Sequence, residues 1–317
     1  MAYILLLVGF VLLIKGADYF VQGASGIARL LRVPPILIGL TIVAFGTSSP
    51  EATVSIIAAL EGSAGVAVGN VVGSNIFNIT LVVGVAAFLY PLKVQSDSIK
   101  KEIPFTLLAS VALLIVMSDA ALQGFGGNVI TRGDGLIFLL FLSIFMYYVI
   151  ENGLKSRKDA VDSPAPADIR WGKKIFITLI GLAAIIAGGD FVVDNGTKIA
   201  YSLGMSETLV GLTIIAVGTS LPELVTSITA ALKKESEIAI GNIIGSNIFN
   251  ILFVLGVSSV ISPLTVSGEV VTDVVFMIIL TMVLLIFART GYKIGKLEGV
   301  VLAIAYVVYL VYIIMRN

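Results

Sequence analysis

The 317-residue sequence has no cysteine and no histidine, and only 13% of its side chains are charged. Without cysteine there is no disulfide framework, no thiolate metal site and no thiol nucleophile. Without histidine the commonest proton relay and transition-metal ligand is missing as well. The scarcity of charge excludes an ordinary soluble domain, in which about a quarter of residues are charged. Twenty Lys and Arg balance twenty Asp and Glu, so neither nucleic acid nor an acidic surface is indicated as a partner. What is present is apolar: 58% of the residues are hydrophobic, which makes the lipid bilayer the expected surrounding.

Apolar runs fall at about 2–22, 34–60, 66–90, 103–118, 133–150, 172–193, 206–232, 238–262, 269–288 and 297–315. They are too long and continuous for barrel strands. The expected fold is therefore an all-α integral membrane protein with ten transmembrane helices. The first run carries no basic flank and reads as a retained span, not a cleaved signal peptide.

Lys and Arg gather on one side of this arrangement: Arg29, Arg32, Lys93, Lys100, Lys101, Lys155, Arg157, Lys158, Arg170, Lys173, Lys174, Lys233, Lys234, Arg289, Lys293 and Lys296. The other side holds Arg132, Lys198 and Arg316, with Lys15 inside the first run. The positive-inside rule then places both termini outside the plasma membrane and the middle connection in the cytosol. That connection, 151–171, contains Ser-Pro-Ala-Pro-Ala among mixed charges, a composition that builds no core and reads as a passive linker.

A shift of 172 residues superposes the chain on itself. GLTIVAFGTSSPE at 39–51 meets GLTIIAVGTSLPE at 211–223 with ten of thirteen identities, and GNVVGSNIFNI at 69–79 meets GNIIGSNIFNI at 241–251 with nine of eleven. Pro91 and Pro263 keep the same offset. One unit is duplicated, as residues 1–150 and 172–317, and each copy carries five spans. An odd number forces the second copy upside down relative to the first, the inverted-repeat plan of secondary transporters.

Glu51 and Glu223 each interrupt a long apolar run, where an ionisable side chain costs at least about 2.5 kcal/mol and is tolerated beside water, a partner or an ion. Equivalent spans of inverted copies meet near the midplane, which sets the two carboxylates face to face. A bound hard cation would relieve both repulsion and burial, and oxygen ligands without sulfur or imidazole favour Ca²⁺, Mg²⁺ or Na⁺. Thr47, Ser48 and Ser55 share a helix face with Glu51, as Thr219, Ser220 and Ser227 do with Glu223. Pro50 and Pro222 lack an amide hydrogen, so carbonyls around Ala44 to Thr47 and Ala216 to Thr219 are expected to be free. Asn70, Ser74 and Asn78, with Asn242, Ser246 and Asn250, form matching stripes in the next spans. Gly69, Gly73, Gly241 and Gly245 would let those stripes approach the broken helices. A Gly-xxx-Gly pair alone usually marks packing, and a mid-span Ser or Thr usually bonds its own helix. Asp18 and Asp190 also match across the repeat, but towards span ends, with Lys15 one turn from Asp18 as its expected partner.

The pairs GTSSPE with GNVVGSNIFNI and GTSLPE with GNIIGSNIFNI resemble the two alpha-repeats of the sodium/calcium exchanger family, within the calcium/cation antiporter superfamily. The resemblance covers nearly the whole chain. It implies a secondary antiporter, not an enzyme, with Ca²⁺ and Na⁺ as substrates, no cofactor and no obligatory protein partner. It implies ion ligands at Ala44, Thr47, Ser48, Glu51, Ser74 and Asn78 and at Ala216, Thr219, Ser220, Glu223, Ser246 and Asn250. It further implies alternating access by sliding of the first and sixth spans, 2–22 and 172–193. Some archaeal relatives and the potassium-dependent branch carry Asp where this chain has Asn250, which argues against potassium dependence. The linker is too short for the calcium-sensing domains of animal exchangers. Proton-coupled calcium exchange is the nearest alternative, although that branch carries its acid in a Gly-Asn-x-x-Glu setting absent here. A channel would usually be built from several identical subunits, and a membrane enzyme would need ligands or nucleophiles beyond the two acids.

Overall fold

The computed structural model describes residues 2–124, 126–159, 171–204 and 216–316. Most of the expected linker and residues 206–215 of the expected seventh span lie outside the described residues. The chain is helical almost throughout. In order it forms α1 (Ala2–Leu31), α2 (Pro35–Thr47), α3 (Ser49–Leu60), α4 (Ala64–Leu89), β1 (Leu92–Lys93), α5 (Ile103–Val116), α6 (Asp119–Gln123), β2 (Asn128–Ile130) and α7 (Arg132–Asp159). The second half follows with α8 (Trp171–Ser202), α9 (Ala216–Thr219), α10 (Leu221–Leu232), α11 (Ser236–Ile261), β3 (Leu264–Val266), α12 (Gly268–Arg289), β4 (Lys293–Ile294) and α13 (Lys296–Arg316). Seven of the helices are long and apolar enough to cross a membrane, and α2 with α3 forms an eighth candidate bent by 49°.

Burial separates the helices into a centre and a periphery. In α4 and α11, 78% and 89% of the apolar window is buried, against 33% in α1 and α8 and 22% in α13. Leu7, Val11 and Ile14 of α1, Phe176 and Leu179 of α8 and Val301, Ile304 and Val308 of α13 are exposed. So much outward apolar surface is stable only against lipid.

Glycine sets how closely the helices meet. Along α1 and α8, Gly9 faces Gly188 and Gly16 faces Gly181, so the two helices run antiparallel. A Cβ on Gly16 would stand 2.9 Å from the Gly181 carbonyl oxygen, and one on Gly188 would stand 2.8 Å from that of Gly9. Gly84 in α4 meets Gly299 in α13 in the same manner, and Gly135 in α7 meets Gly256 in α11. Two small antiparallel pairings join the halves: Leu92 and Lys93 of β1 lie opposite Ile294 and Lys293 of β4, and Asn128–Ile130 of β2 pairs with Leu264–Val266 of β3.

Several local features differ from the sequence reading. Helices α1 and α8 run nine residues beyond 22 and 193. The polar and small stretch from Gln22 to Leu31 ends an apolar run without ending a helix, because Ala24, Ile27 and Ala28 are buried. Asp18 and Asp190 therefore lie well inside their helices. Asp18 pairs not with Lys15 but with Lys233, at 2.7 Å, since the packing of α10 brings a cation closer than the helix's own neighbour. Helix α7 extends to Asp159, into the expected linker, with Lys155 and Glu151 paired at 2.7 Å across one turn. Wide π-helical turns at Gly39–Val43, Asn78–Val82 and Asn250–Leu255 were not anticipated. Two of them begin at the motif asparagines.

Candidate functional site

Both interruptions of helix sit just ahead of a proline. Ser48 (φ −84°, ψ 8°) separates α2 from α3, and Ser220 (φ −92°, ψ 7°) separates α9 from α10. Pro50 and Pro222 occupy the second position of the new helix, where a missing amide hydrogen costs nothing. Glu51 and Glu223 follow in the first turn, where the positive end of the helix dipole favours a carboxylate. Both side chains are 0% exposed. Among the described residues no Lys or Arg lies within ion-pair distance of either.

Each carboxylate is held from the opposite half. The Ser220 hydroxyl donates to Glu51 Oε1 at 3.0 Å, and the Ser48 hydroxyl donates to Glu223 Oε1 at 2.8 Å. Ser74 Oγ stands 3.0 Å from Ser220 Oγ, and the Ser246 hydroxyl reaches Glu223 Oε1 at 3.5 Å. The supporting chains are reciprocal too. Thr47 donates to Asn242 Oδ1 at 3.0 Å, and Asn242 Nδ2 donates to Ser227 Oγ at 3.0 Å. In the mirror arrangement Thr219 donates to Asn70 Oδ1 at 3.5 Å, and Asn70 Nδ2 donates to Ser55 Oγ at 2.9 Å. Thr47 Oγ1 also lies 3.4 Å from the Ala44 carbonyl, farther than from Asn242; a hydroxyl that donates to an asparagine keeps its oxygen lone pairs for a ligand.

Four buried oxygens are left over. Glu51 Oε2, Glu223 Oε2, Asn78 Oδ1 and Asn250 Oδ1 have no hydrogen-bond partner among the described residues. All four accept and none donates, and each unsatisfied buried acceptor costs about 1–3 kcal/mol, more when charged. Such a cluster is complementary to a cation.

The structure thus brings Thr47, Ser48, Glu51, Ser74 and Asn78 together with Thr219, Ser220, Glu223, Ser246 and Asn250. Asn70, Asn242, Ser55 and Ser227 stand behind them. The Ala44 carbonyl, expected to be free, accepts the Ser48 amide at 3.0 Å. Pro50 removes the donor to Gly46, not the donor to Ala44, whose carbonyl also lies 3.4 Å from the Thr47 hydroxyl. In the second half the Ser220 amide turns to the Val217 carbonyl at 3.2 Å, and Ala216 opens α9. Gly241 and Gly245 do bring α11 onto α2: their Cβ positions would fall 2.6 Å from the Ile36 carbonyl oxygen and 2.7 Å from Ala44 Cβ. Around Gly69 and Gly73 no atom of the described residues comes within 4 Å of such a Cβ. Sequence reasoning passed over Asn75 and Asn247, which bond to Asn250 and Asn78. Their identity in both copies was the available signal.

The model of the sodium/calcium exchanger protein family matches residues 1–151 and 173–315. The chain belongs to that family. Among its relatives, the putative antiporter CaxA of Alkalimonas amylolytica is 42% identical over 97% of both chains. The sodium/calcium exchanger MaX1 of Methanosarcina acetivorans is 36% identical over 98% of this chain and 97% of its own. The solved structure of the sodium-calcium exchanger NCX_Mj, from crystals soaked with 10 mM Na⁺ and zero Ca²⁺, superposes with a TM-score of 0.85 at 31% identity and covers 98% of both chains. The exchanger family thus accounts for the all-α membrane fold over nearly the full length.

Proposed function

We propose that the chain is a secondary antiporter that exchanges Na⁺ for Ca²⁺ across the plasma membrane by alternating access, electrogenically and without potassium. The observation that carries this reading is the set of four orphaned oxygens on Glu51, Glu223, Asn78 and Asn250. Two charges and four buried acceptors, with no donor among the described residues left to meet them, call for a hard cation. The hydroxyls of Thr47, Ser48, Ser74, Thr219, Ser220 and Ser246 and the carbonyls of Ala44 and Ala216 complete its shell. The architecture behind this site is ten spans in two inverted units, 1–150 and 172–317, joined by the 151–171 linker. The antiparallel α1–α8 seam and the reciprocal hydrogen bonds support that division. Helices α1 and α8, half exposed and joined along glycines, are the pair that slides.

Charge counting gives the coupling. Two carboxylates neutralise one Ca²⁺, whereas three Na⁺ leave the loaded core about one charge positive. The family resemblance favours three, so one loaded form carries charge through the field, worth up to about 2.3 kcal/mol per 100 mV. The test is calcium flux in proteoliposomes at clamped potential in potassium-free buffer. Sodium-driven calcium exchange that quickens when the sodium-receiving side is negative is expected. Voltage-insensitive flux would reject the three-for-one cycle, and flux driven by a pH gradient alone would assign Glu51 and Glu223 to proton exchange.

A further inference from the structure

Asn75 and Asn247, which the ion-site reading leaves unused, stand between the two asparagines that it does use. They follow Ser74 and Ser246 directly in sequence and are 1% exposed. Asn78 Nδ2 donates to Asn247 Oδ1 at 3.2 Å, and Asn250 Nδ2 donates to Asn75 Oδ1 at 3.1 Å. Asn75 is itself fixed, because its Nδ2 donates to the Asn247 backbone carbonyl at 3.3 Å.

A primary amide is a fork with donors on one prong and an acceptor on the other. Once the nitrogen is tied to a neighbour, the direction of the oxygen is settled. The oxygens aimed in this way are Asn78 Oδ1 and Asn250 Oδ1, the two amide acceptors without partners. Turned over, each fork would point two N–H groups at a cation and set its own oxygen against another acceptor oxygen. The π-helical turns that begin at Asn78 and Asn250 relax the backbone at the same two positions. Side-chain orientation there rests all the more on the amide contacts.

We infer that Asn75 and Asn247 are positioning residues that lock the Asn250 and Asn78 amides with their oxygens towards the transported ion. Each half of the protein thereby sets the ligand geometry of the other. The inference rests on the reading of Asn78 and Asn250 as ion ligands, and the experiment separates the two.

The measurement is the calcium KM of sodium-driven exchange in proteoliposomes. Asn247→Leu keeps the approximate volume and removes the acceptor, and it is expected to raise KM by at least about tenfold while the maximal rate stays within about threefold. Aspartate carries two equivalent acceptor oxygens and needs no orienting. In an Asn78→Asp background the same Asn247→Leu change should therefore move KM by less than about twofold. An equal shift in both backgrounds would mean that Asn247 only glues α4 to α11, and the inference would fall. Asn247→Asp, which keeps an acceptor facing Asn78 Nδ2, should hold KM near the wild-type value; a tenfold rise would overturn the inference even if the leucine variant does not purify. Asn78→Ala separates the layers. No change in KM there removes Asn78 from the ion site and takes the inference with it, whereas a raised KM with an indifferent Asn247→Leu rejects the positioning role alone.

Discussion

Glu51 and Glu223 are both fully buried, with one oxygen of each bonded to a serine from the other half and the second oxygen bare. In the absence of a cation this arrangement opposes folding, because like charges in a low-dielectric place repel and are poorly solvated. On the proposed reading a cation bound there contributes stability as well as being cargo. Glu51→Gln or Glu223→Gln removes one charge and turns an acceptor prong into a donor. Either change is expected to lower sodium-driven calcium exchange at least about a hundredfold while the protein still purifies as a monodisperse species. Thermal unfolding gives a second readout. Calcium at about a hundred times its dissociation constant should stabilise the wild type by about 2.7 kcal/mol, and the glutamine variants by almost nothing. Near-normal transport or undiminished calcium stabilisation in either variant would remove that residue from the site. Protons bind the same oxygens, so acidification should inhibit exchange, and more calcium should be needed to restore it.

Helix α1 is tied at its side to the central helices by polar contacts: Asp18 pairs with Lys233 at 2.7 Å, and Ser25 donates to Glu235 at 2.7 Å. If α1 and α8 slide against the centre, the Asp18–Lys233 contact cannot persist through the cycle. The chain has no cysteine of its own, which makes this directly measurable. In the Asp18→Cys/Lys233→Cys double variant, a short bis-methanethiosulfonate, which joins the two thiols through disulfides with release of methanesulfinate, is expected to slow exchange by at least about tenfold, reduction should restore it, and calcium-dependent thermal stabilisation should survive throughout. Unimpaired exchange in the cross-linked protein would show that α1 and α10 do not move apart. The sequence made the helices and their proline breaks visible, because apolar runs and a missing amide hydrogen are local properties. It could not show that α1 continues to Leu31, since the polar stretch after Gln22 is accommodated by neighbours distant in sequence. The Lys233 partner of Asp18 was hidden for the same reason. The two carboxylates were legible because charge inside an apolar run is expensive wherever the run packs. The roles of Asn75 and Asn247 were not, since which way an amide fork points is decided only by the helix that crosses it.

At the scale of the whole molecule the remaining asymmetry is electrostatic. Register places Lys93 opposite Lys293 in the β1–β4 pair, so these two residues, from different halves, share one end of the bundle as the basic bias requires. At the other pairing lies Arg132, whose guanidinium donates to the Ile261 carbonyl at 3.3 Å. Arg316, also counted on that sparse side, is neutralised by Asp273 through contacts of 2.9 and 3.1 Å. On the basic side Arg29, Lys101, Lys155 and Lys233 are likewise paired with carboxylates, so pairing leaves the sense of the bias unchanged. Lys and Arg near span ends are retained in the cytosol, and acidic neighbours alter this little. The end that bears Lys93, Lys293 and the 151–171 linker should accordingly face the cytosol, with both termini outside. A single cysteine at Ser163, in the linker and outside the described residues, should react with a membrane-impermeant thiol reagent only from the cytosolic side of oriented vesicles. A cysteine at the exposed Gly127, beside β2, should react only from the outside. Exchange of the two labelling patterns would invert the topology, and labelling of both positions from one side would break the five-plus-five division, because α7 is the one helix between those two sites and must cross the membrane to set them on opposite faces.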